Sequence, residues 1–371
     1  MTFRAAALFT FAVAMVGAAA CHAQTSAKEW TFAISGDSRN CGDLVMPMIA
    51  HDAARHVPAF YWHLGDFRAL YKFDEDILGG MDPKTAKPRG TMYITDYDRM
   101  AWDDFIQHQV EPFERGKIPV FLGIGNHEIV PPKNRAEYLS QFADWLDEPI
   151  LKNQRLADDE QDHRLKTYYH WKQGGVDFIN LDNADDEQFS DQQVKWFKAV
   201  VAKDMNDLAV RAIVVGMHKA LPDSRSCFHS MSESAQGVKS GREVYATLLN
   251  AHTQGHKHVY ILASHSHFFM EGIYDTPYLQ NHGGVLPGWI VGTAGAVRYR
   301  LPPNASPGAK TDVYGYLLAT VSPDGQIRFS FQELGRNQLP PDAANQFAPD
   351  TVDFCFSQNK DYRPAPDACP Q

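Results

Sequence analysis

Positive charge is in short supply: 35 Lys and Arg face 45 Asp and Glu across 371 residues, a formal charge of −10. Tracking a nucleic-acid backbone needs a basic footprint, so no nucleic-acid polymer is expected as a partner. A local basic pocket for a small anion is not excluded. Internal repeats are lacking, which argues against a solenoid, and no linker separates two folded units. The apolar run Ala5–Ala20 has 16 residues, short of the ~20 that a membrane-spanning helix needs. With Arg4 ahead of it and the small-residue exit Cys21-His22-Ala23-Gln24 behind, it reads as a secretory leader. Cleavage is expected after Ala23, which leaves a periplasmic or secreted chain with no transmembrane segment. Lipoprotein anchoring through Cys21 is the weaker alternative, because Ala18 stands where a larger aliphatic residue is usual.

Cysteine is scarce too. Without the leader four of the five remain: Cys41, Cys227, Cys355 and Cys369. An even count in an exported chain points to disulfides, with three possible pairings. Cys355 and Cys369 would close a short loop in the Pro-rich tail, and that leaves Cys41 with Cys227. What is plentiful is ordinary: 44% apolar and 22% charged residues suit a soluble globular chain.

Short apolar runs alternate with amphipathic stretches. Strands are expected at Trp30–Asp37, Phe60–Asp66, Lys117–Glu128, Tyr168–Trp171 and Val176–Asp182. AIVVGMH, VYILASHSH and WIVGTAG follow, with a hairpin around Pro323-Asp324-Gly325. Helices are expected at Asp43–His56 and near Ala136–Leu146, and at Asp96–Val110, which should stop before Pro112. A capping box of Ser190 with Gln193 should open another. Lys72–Thr95 and Leu221–Gly241 read as long irregular loops. Strands alternating with helices early, then consecutive strands late, indicate a mixed-sheet α/β sandwich.

The strand ends carry the chemistry. They read Gly36-Asp37, Gly65-Asp66, Gly125-Asn126-His127-Glu128, Gly216-Met217-His218 and Ser264-His265-Ser266-His267. Ligands gather at the carboxyl ends of strands in α/β sheets. Mixed carboxylate, amide and imidazole donors suit transition metals of intermediate hardness, and paired cations can clamp a phosphoryl group and activate water. His63 reads as a core or supporting histidine, while His282 sits in a loop that could approach the site.

This series of motifs resembles the calcineurin-like metallophosphoesterases, from Asp37 to about Leu334. GNHE is the most specific element. SHSH matches the family's GHxH with Ser264 in place of Gly, and Gln193–Phe197 is similar to its QxxWL helix. The resemblance implies a four-layer αββα sandwich with mixed sheets over 24–334, with 335–371 as an extension packed on it. It also implies hydrolysis of a small phosphomonoester or phosphodiester substrate by a metal-bound hydroxide, in a secreted bacterial enzyme. Two divalent or trivalent ions would serve, with Fe, Mn or Zn the natural choices. Asp66 would bridge them, Asp37 and His267 would hold the first, and Asn126, His218 and His265 the second. His127 would act as general acid, oriented by Glu128.

One position departs from the pattern. Where the first motif often has D-x-H, this chain has Asp37-Ser38-Arg39, and Arg offers no lone pair to a metal. The first ion would then be weak, rely on Asn40 or water, or be absent. Arg39 would instead grip phosphate, with Arg68 and Lys219 as further candidates. A phosphate- or metal-binding protein with a degraded site is the competing reading.

Overall fold

Period-two alternation of buried side chains sets the layers of this fold. The structure, a computed structural model, describes residues 28–82, 87–88, 92–185, 188–226 and 228–363. The leader read over 1–23, with Cys21, lies outside them, as do Cys227 and Cys369. In chain order the strands are β1 (Trp30–Ser35), β2 (Tyr61–His63), the two-residue pair β3 (Met81–Asp82) and β4 (Lys87–Pro88), β5 (Val120–Leu122), β6 (Tyr169–Gln173) and β7 (Val176–Asn180). Then come β8 (Ala212–Gly216), β9 (His258–Ala263), β10 (Phe269–Glu271), β11 (Gly288–Val291), β12 (Tyr314–Val321) and β13 (Ile327–Leu334).

Two mixed sheets result, ordered β13-β12-β1-β2-β5 and β10-β11-β9-β8-β7-β6. In the first, β1, β2 and β5 run parallel, and β12 is antiparallel to both β1 and β13. In the second, parallel β11, β9, β8 and β7 are flanked by antiparallel β10 and β6. Phe32, Ile34, Trp62 and Phe121 share one buried cluster with Phe178, Val214, Leu262 and Val291, so the sheets face each other. The alternate residues Ala33, Tyr61, Val120 and Leu122 pack with the helices Gly42–Ala54 and Ile94–Phe105. Ile179, Ile213, Val215 and Ile261 pack with the helices Asp191–Asn206 and Ala235–Thr253. The order is helices, sheet, sheet, helices, the αββα sandwich with mixed sheets. Among the described residues no helix is long and apolar enough to cross a membrane.

Several local expectations need correction. The helix at Ile94–Phe105 does not stop before Pro112. It continues through a wider turn at Ile106–Val110 into Glu111–Arg115, where Pro112 sits in the first turn and its missing N–H is not needed. Within the two expected loops lie a helix at Glu75–Gly79 and the start of Ala235–Thr253, capped by Ser234. The capping box is half formed: Ser190 accepts from the Gln193 N–H, but the buried Gln193 amide bonds Asp182 N and O at 2.7 Å each and pins the end of β7.

The disulfide pairing is also overturned. Cys41 is bonded to Cys355, 314 residues away. The helix Pro349–Ser357 buries Val352 and Cys355 in the same cluster as the helix that follows Cys41. Arg298 holds that arrangement by donating to the carbonyls of Cys355, Phe356 and Asn359 at its C-terminal end.

Candidate metal centre

The candidate ligands sit two to four residues beyond the C-termini of β1, β2, β5, β8 and β9, so both sheets present them along one edge. Three occupy the left-handed backbone region: Asp37 (φ 60°), Asp66 (φ 61°) and His265 (φ 62°). That region is uncommon for side-chain-bearing residues, and such strain collects at functional sites. Gly65 (φ 96°) supplies the turn ahead of Asp66. Space is tight around the carboxylates. A Cβ on Gly125 would lie 2.6 Å from the Asp66 nitrogen and 2.9 Å from His218 Cε1.

Lone pairs converge here. His218 directs Nδ1 to the Leu64 carbonyl at 3.0 Å, which places the proton on Nδ1 and leaves Nε2 bare. Nε2 then lies 3.2 Å from Asp66 Oδ1, 3.1 Å from Asn126 Oδ1 and 3.0 Å from His265 Nδ1. Ligand atoms of Asp37, Asp66, His218 and His265 all lie within 4.8 Å of one another. Asp37 Oδ1 and Asp66 Oδ2 are buried without a hydrogen bond. A nest of acceptors with orphaned carboxylate oxygens fits a cation. Ser264, the departure from GHxH, bonds Leu64 O at 3.2 Å and lies 3.1 Å from His218 Nδ1, so its hydroxyl steadies the imidazole.

On the other side of Asp37 a guanidinium stands beside the candidate ligands. His267 donates from Nδ1 to the Val297 carbonyl at 2.7 Å, so its single lone pair is on Nε2. That lone pair lies 3.1 Å from Asp37 Oδ1 and 3.2 Å from Arg39 Nη2, so the guanidinium supplies the positive charge there. The buried guanidinium also reaches Tyr299 and Tyr71 hydroxyls at 3.3 and 3.4 Å, and its Nε lies 3.9 Å from Asp66 Oδ2. Burial opposes its charge, but Tyr299 and Asp66 outweigh burial and raise its affinity for the proton. Asn40 is not available as a replacement ligand. Its amide donates to Glu75 at 2.8 Å and accepts from Val297 N at 3.3 Å.

His127 and Glu128 separate in role. The His127 ring is oriented by Nδ1 donating to the Ala69 carbonyl at 2.6 Å, with Nε2 3.7 Å from Asp66 Oδ2. Burial lowers it to about 4, against the pull of Asp66. Glu128 does not touch the imidazole. It accepts the N–H groups of Gly125, Asp66 and Phe67 at 2.7–2.8 Å and so ties two ligand loops together, a positioning role in place of the expected orientation of His127. Burial and the Asp66 charge push Glu128 up to about 7.

Arg68 is withdrawn as a phosphate ligand. It is fully buried and pairs with Asp43 (2.5 Å), Asp76 (3.3 Å) and Asp104 beneath the site. Lys219 stays beside the site: its backbone is held on both sides by Asn183, and its charge adds to the burial that depresses His265 and His229. His63 is buried and bonded to Ser38 at 2.9 Å, in keeping with a supporting histidine. His282 is exposed and stacks on Tyr278. Sequence reasoning missed Tyr299, whose ring stacks on His267 at 3.9 Å, and His229, 5.2 Å from the His265 ring. Tyr299 lies eight residues beyond the end of β11, farther than any candidate ligand from its strand, so strand-end logic did not reach it. Beside these rings opens a cavity of about 460 Å³, lined in part by Phe228, His229, Phe268, Tyr299 and Arg300. That volume is in the range of small-molecule sites.

Residues 41–269 match the family described as calcineurin-like phosphoesterase. The chain belongs to the calcineurin-like phosphoesterases. The match begins just past Arg39, so the departing first motif lies outside it. A dimetal phosphatase from Danio rerio is 12% identical, with a TM-score of 0.51 over 82% of this chain and 98% of that one. PhoD gives the same score and identity over 82% of this chain and 69% of its own. These likenesses concern the fold. No curated protein matches the chain significantly. The phosphoesterase is thus a phosphoric ester hydrolase by family, with a buried Asp/His group suited to metal.

Proposed function

We propose that this phosphoesterase hydrolyses a small phosphate ester outside the cytoplasm, at a metal held by Asp37, Asp66, His218, His265 and Asn126. The observation that carries the reading is the convergence of their acceptor atoms, with carboxylate oxygens left unbonded. A cation bound there supplies Lewis acidity toward a phosphoryl oxygen and lowers the pKa of water. Asp66 holds the ligand face toward His127, and Glu128 fixes the two loops that carry them. His127 has Nδ1 committed to Ala69, so only Nε2 can exchange a proton with substrate. Because burial lowers it to about 4, the protonated ring is the minor form near neutral pH, and it is this form that donates from Nε2 to the leaving oxygen. Arg39 and Lys219 supply positive charge for the phosphoryl group, and the neighbouring cavity receives the organic part of the ester. The Cys41–Cys355 bond supports an oxidising compartment.

A leaving-group series tests the acid. His127→Ala should keep its metal and lose more turnover on alkyl phosphates than on nitrophenyl phosphate. A uniform loss would leave His127 as a charge stabiliser only. Arg39 favours the second reading, a phosphate or metal binder, because it stands where a further ion would be ligated. That reading predicts tight phosphate binding with no turnover on any ester.

A further inference from the structure

We propose that the Arg39 guanidinium takes the place of one cation, so that the centre is built for a single metal ion. Lone pairs decide which cation is held. His267 has one, on Nε2, because Nδ1 is committed to Val297 O at 2.7 Å. A metal on Nε2 would sit about 2.0–2.1 Å away; Asp37 Oδ1, 3.1 Å from Nε2, would share that metal, but Arg39 Nη2 already stands 3.2 Å from the same nitrogen. The lone pair serves one cation or the other. The charge is already there as well, since an arginine stays protonated under all ordinary conditions.

The guanidinium is held from several sides. Tyr71 and Tyr299 accept from its two terminal nitrogens, and the Tyr299 ring lies flat on the His267 imidazole. The loop behind it is clamped: Asn40 N–H donates to Asp74 at 2.6 Å, Asn40 Nδ2 to Glu75 at 2.8 Å, and Cys41 is in the disulfide. Swinging Arg39 out would break these contacts together. Arg39 Nε comes within 3.9 Å of Asp66 Oδ2 but makes no hydrogen bond there, and the lone pairs of Asp66, His218 and His265 remain for an ion.

The proposal rests on the metal-dependent reading above, and metal counting separates the two. The chelator-treated full chain is titrated with Mn²⁺ by calorimetry and followed by electron paramagnetic resonance. The expected result is one Mn²⁺ per chain with the signal of an isolated ion. Arg39→His should bind two and give a spin-coupled pair. Arg39→Met, which keeps the apolar stem, provides the same test if the histidine variant does not fold. Two Mn²⁺ in the unaltered chain would overturn the Arg39 assignment. So would a folded Arg39→His or Arg39→Met that still binds one. No Mn²⁺ at all would overturn both the assignment and the metal site. One Mn²⁺ without ester turnover on the same sample would remove the hydrolase reading and leave the Arg39 assignment standing.

Discussion

Opening the Cys41–Cys355 bond should remove a large share of the stability of this fold. The bond joins residues 314 apart, so it restrains nearly the whole unfolded chain. The chain-entropy relation values a loop of that length at roughly 5–6 kcal/mol, against a total of about 5–15 kcal/mol for a typical domain. Native packing around it is dense: both cysteines are fully buried, and Cys41 N–H bonds the carbonyls of Arg39 and Gly295. The perturbation is the double variant Cys41→Ser/Cys355→Ser, unfolded in urea beside the oxidised parent. The midpoint should fall by an amount equal to several kcal/mol once multiplied by the slope. The slope itself should rise, because the released unfolded chain exposes more surface. Equal midpoints would refute the reasoning, as would a non-reduced peptide map joining Cys41 to Cys227.

Three further outcomes follow from the packing. Arg68→Met should leave buried Asp43, Asp76 and Asp104 without their cation and cost about 3–5 kcal/mol; normal stability with a raised KM would return Arg68 to the substrate. Gly125→Ala should press on Asp66 and His218 and cut turnover about 100-fold, with weaker metal binding in calorimetry; unchanged affinity would contradict the close approach. His170 lies between Asp158 and Asp177, which raise it from 6.5 to about 9 although burial works against its charge. The folded protein therefore keeps a proton that the unfolded chain releases. This contribution is fully present below pH 6.5 and is lost as pH climbs through about 9. Melting temperature should decline over that window, and His170→Asn should flatten the decline; an unchanged slope would rule out His170 as its source.

The meeting of Asp37, Asp66, His218 and His265 was legible because each residue follows a short apolar strand, and strand direction delivers those ends to one edge. Residue type then narrowed the chemistry. What the sequence hid were directions and distant partners. Arg68 is two residues from Asp66, yet the left-handed turn at Asp66 and the Asp43, Asp76 and Asp104 carboxylates draw it beneath the site. Glu128 adjoins His127, but a carboxylate satisfied by three backbone N–H groups has no reason to reach the imidazole. Short spacing favoured Cys355 with Cys369, whereas the tail helix docks beside the helix after Cys41, a contact that no local pattern encodes. The position of Arg39 was visible as a departure. Its place against the His267 lone pair was not, because that depends on Val297 fixing the tautomer.

The most direct test of a metal-dependent phosphoesterase is turnover of nitrophenyl phosphate and bis-nitrophenyl phosphate by the chelator-treated chain, with Mn²⁺, Zn²⁺ or Fe²⁺ added back stepwise. The stripped protein should be inactive and activity should rise in proportion to bound metal, while Asp66→Asn should neither retain the ion nor recover. Full turnover in metal-free protein, or in Asp66→Asn, would contradict the account.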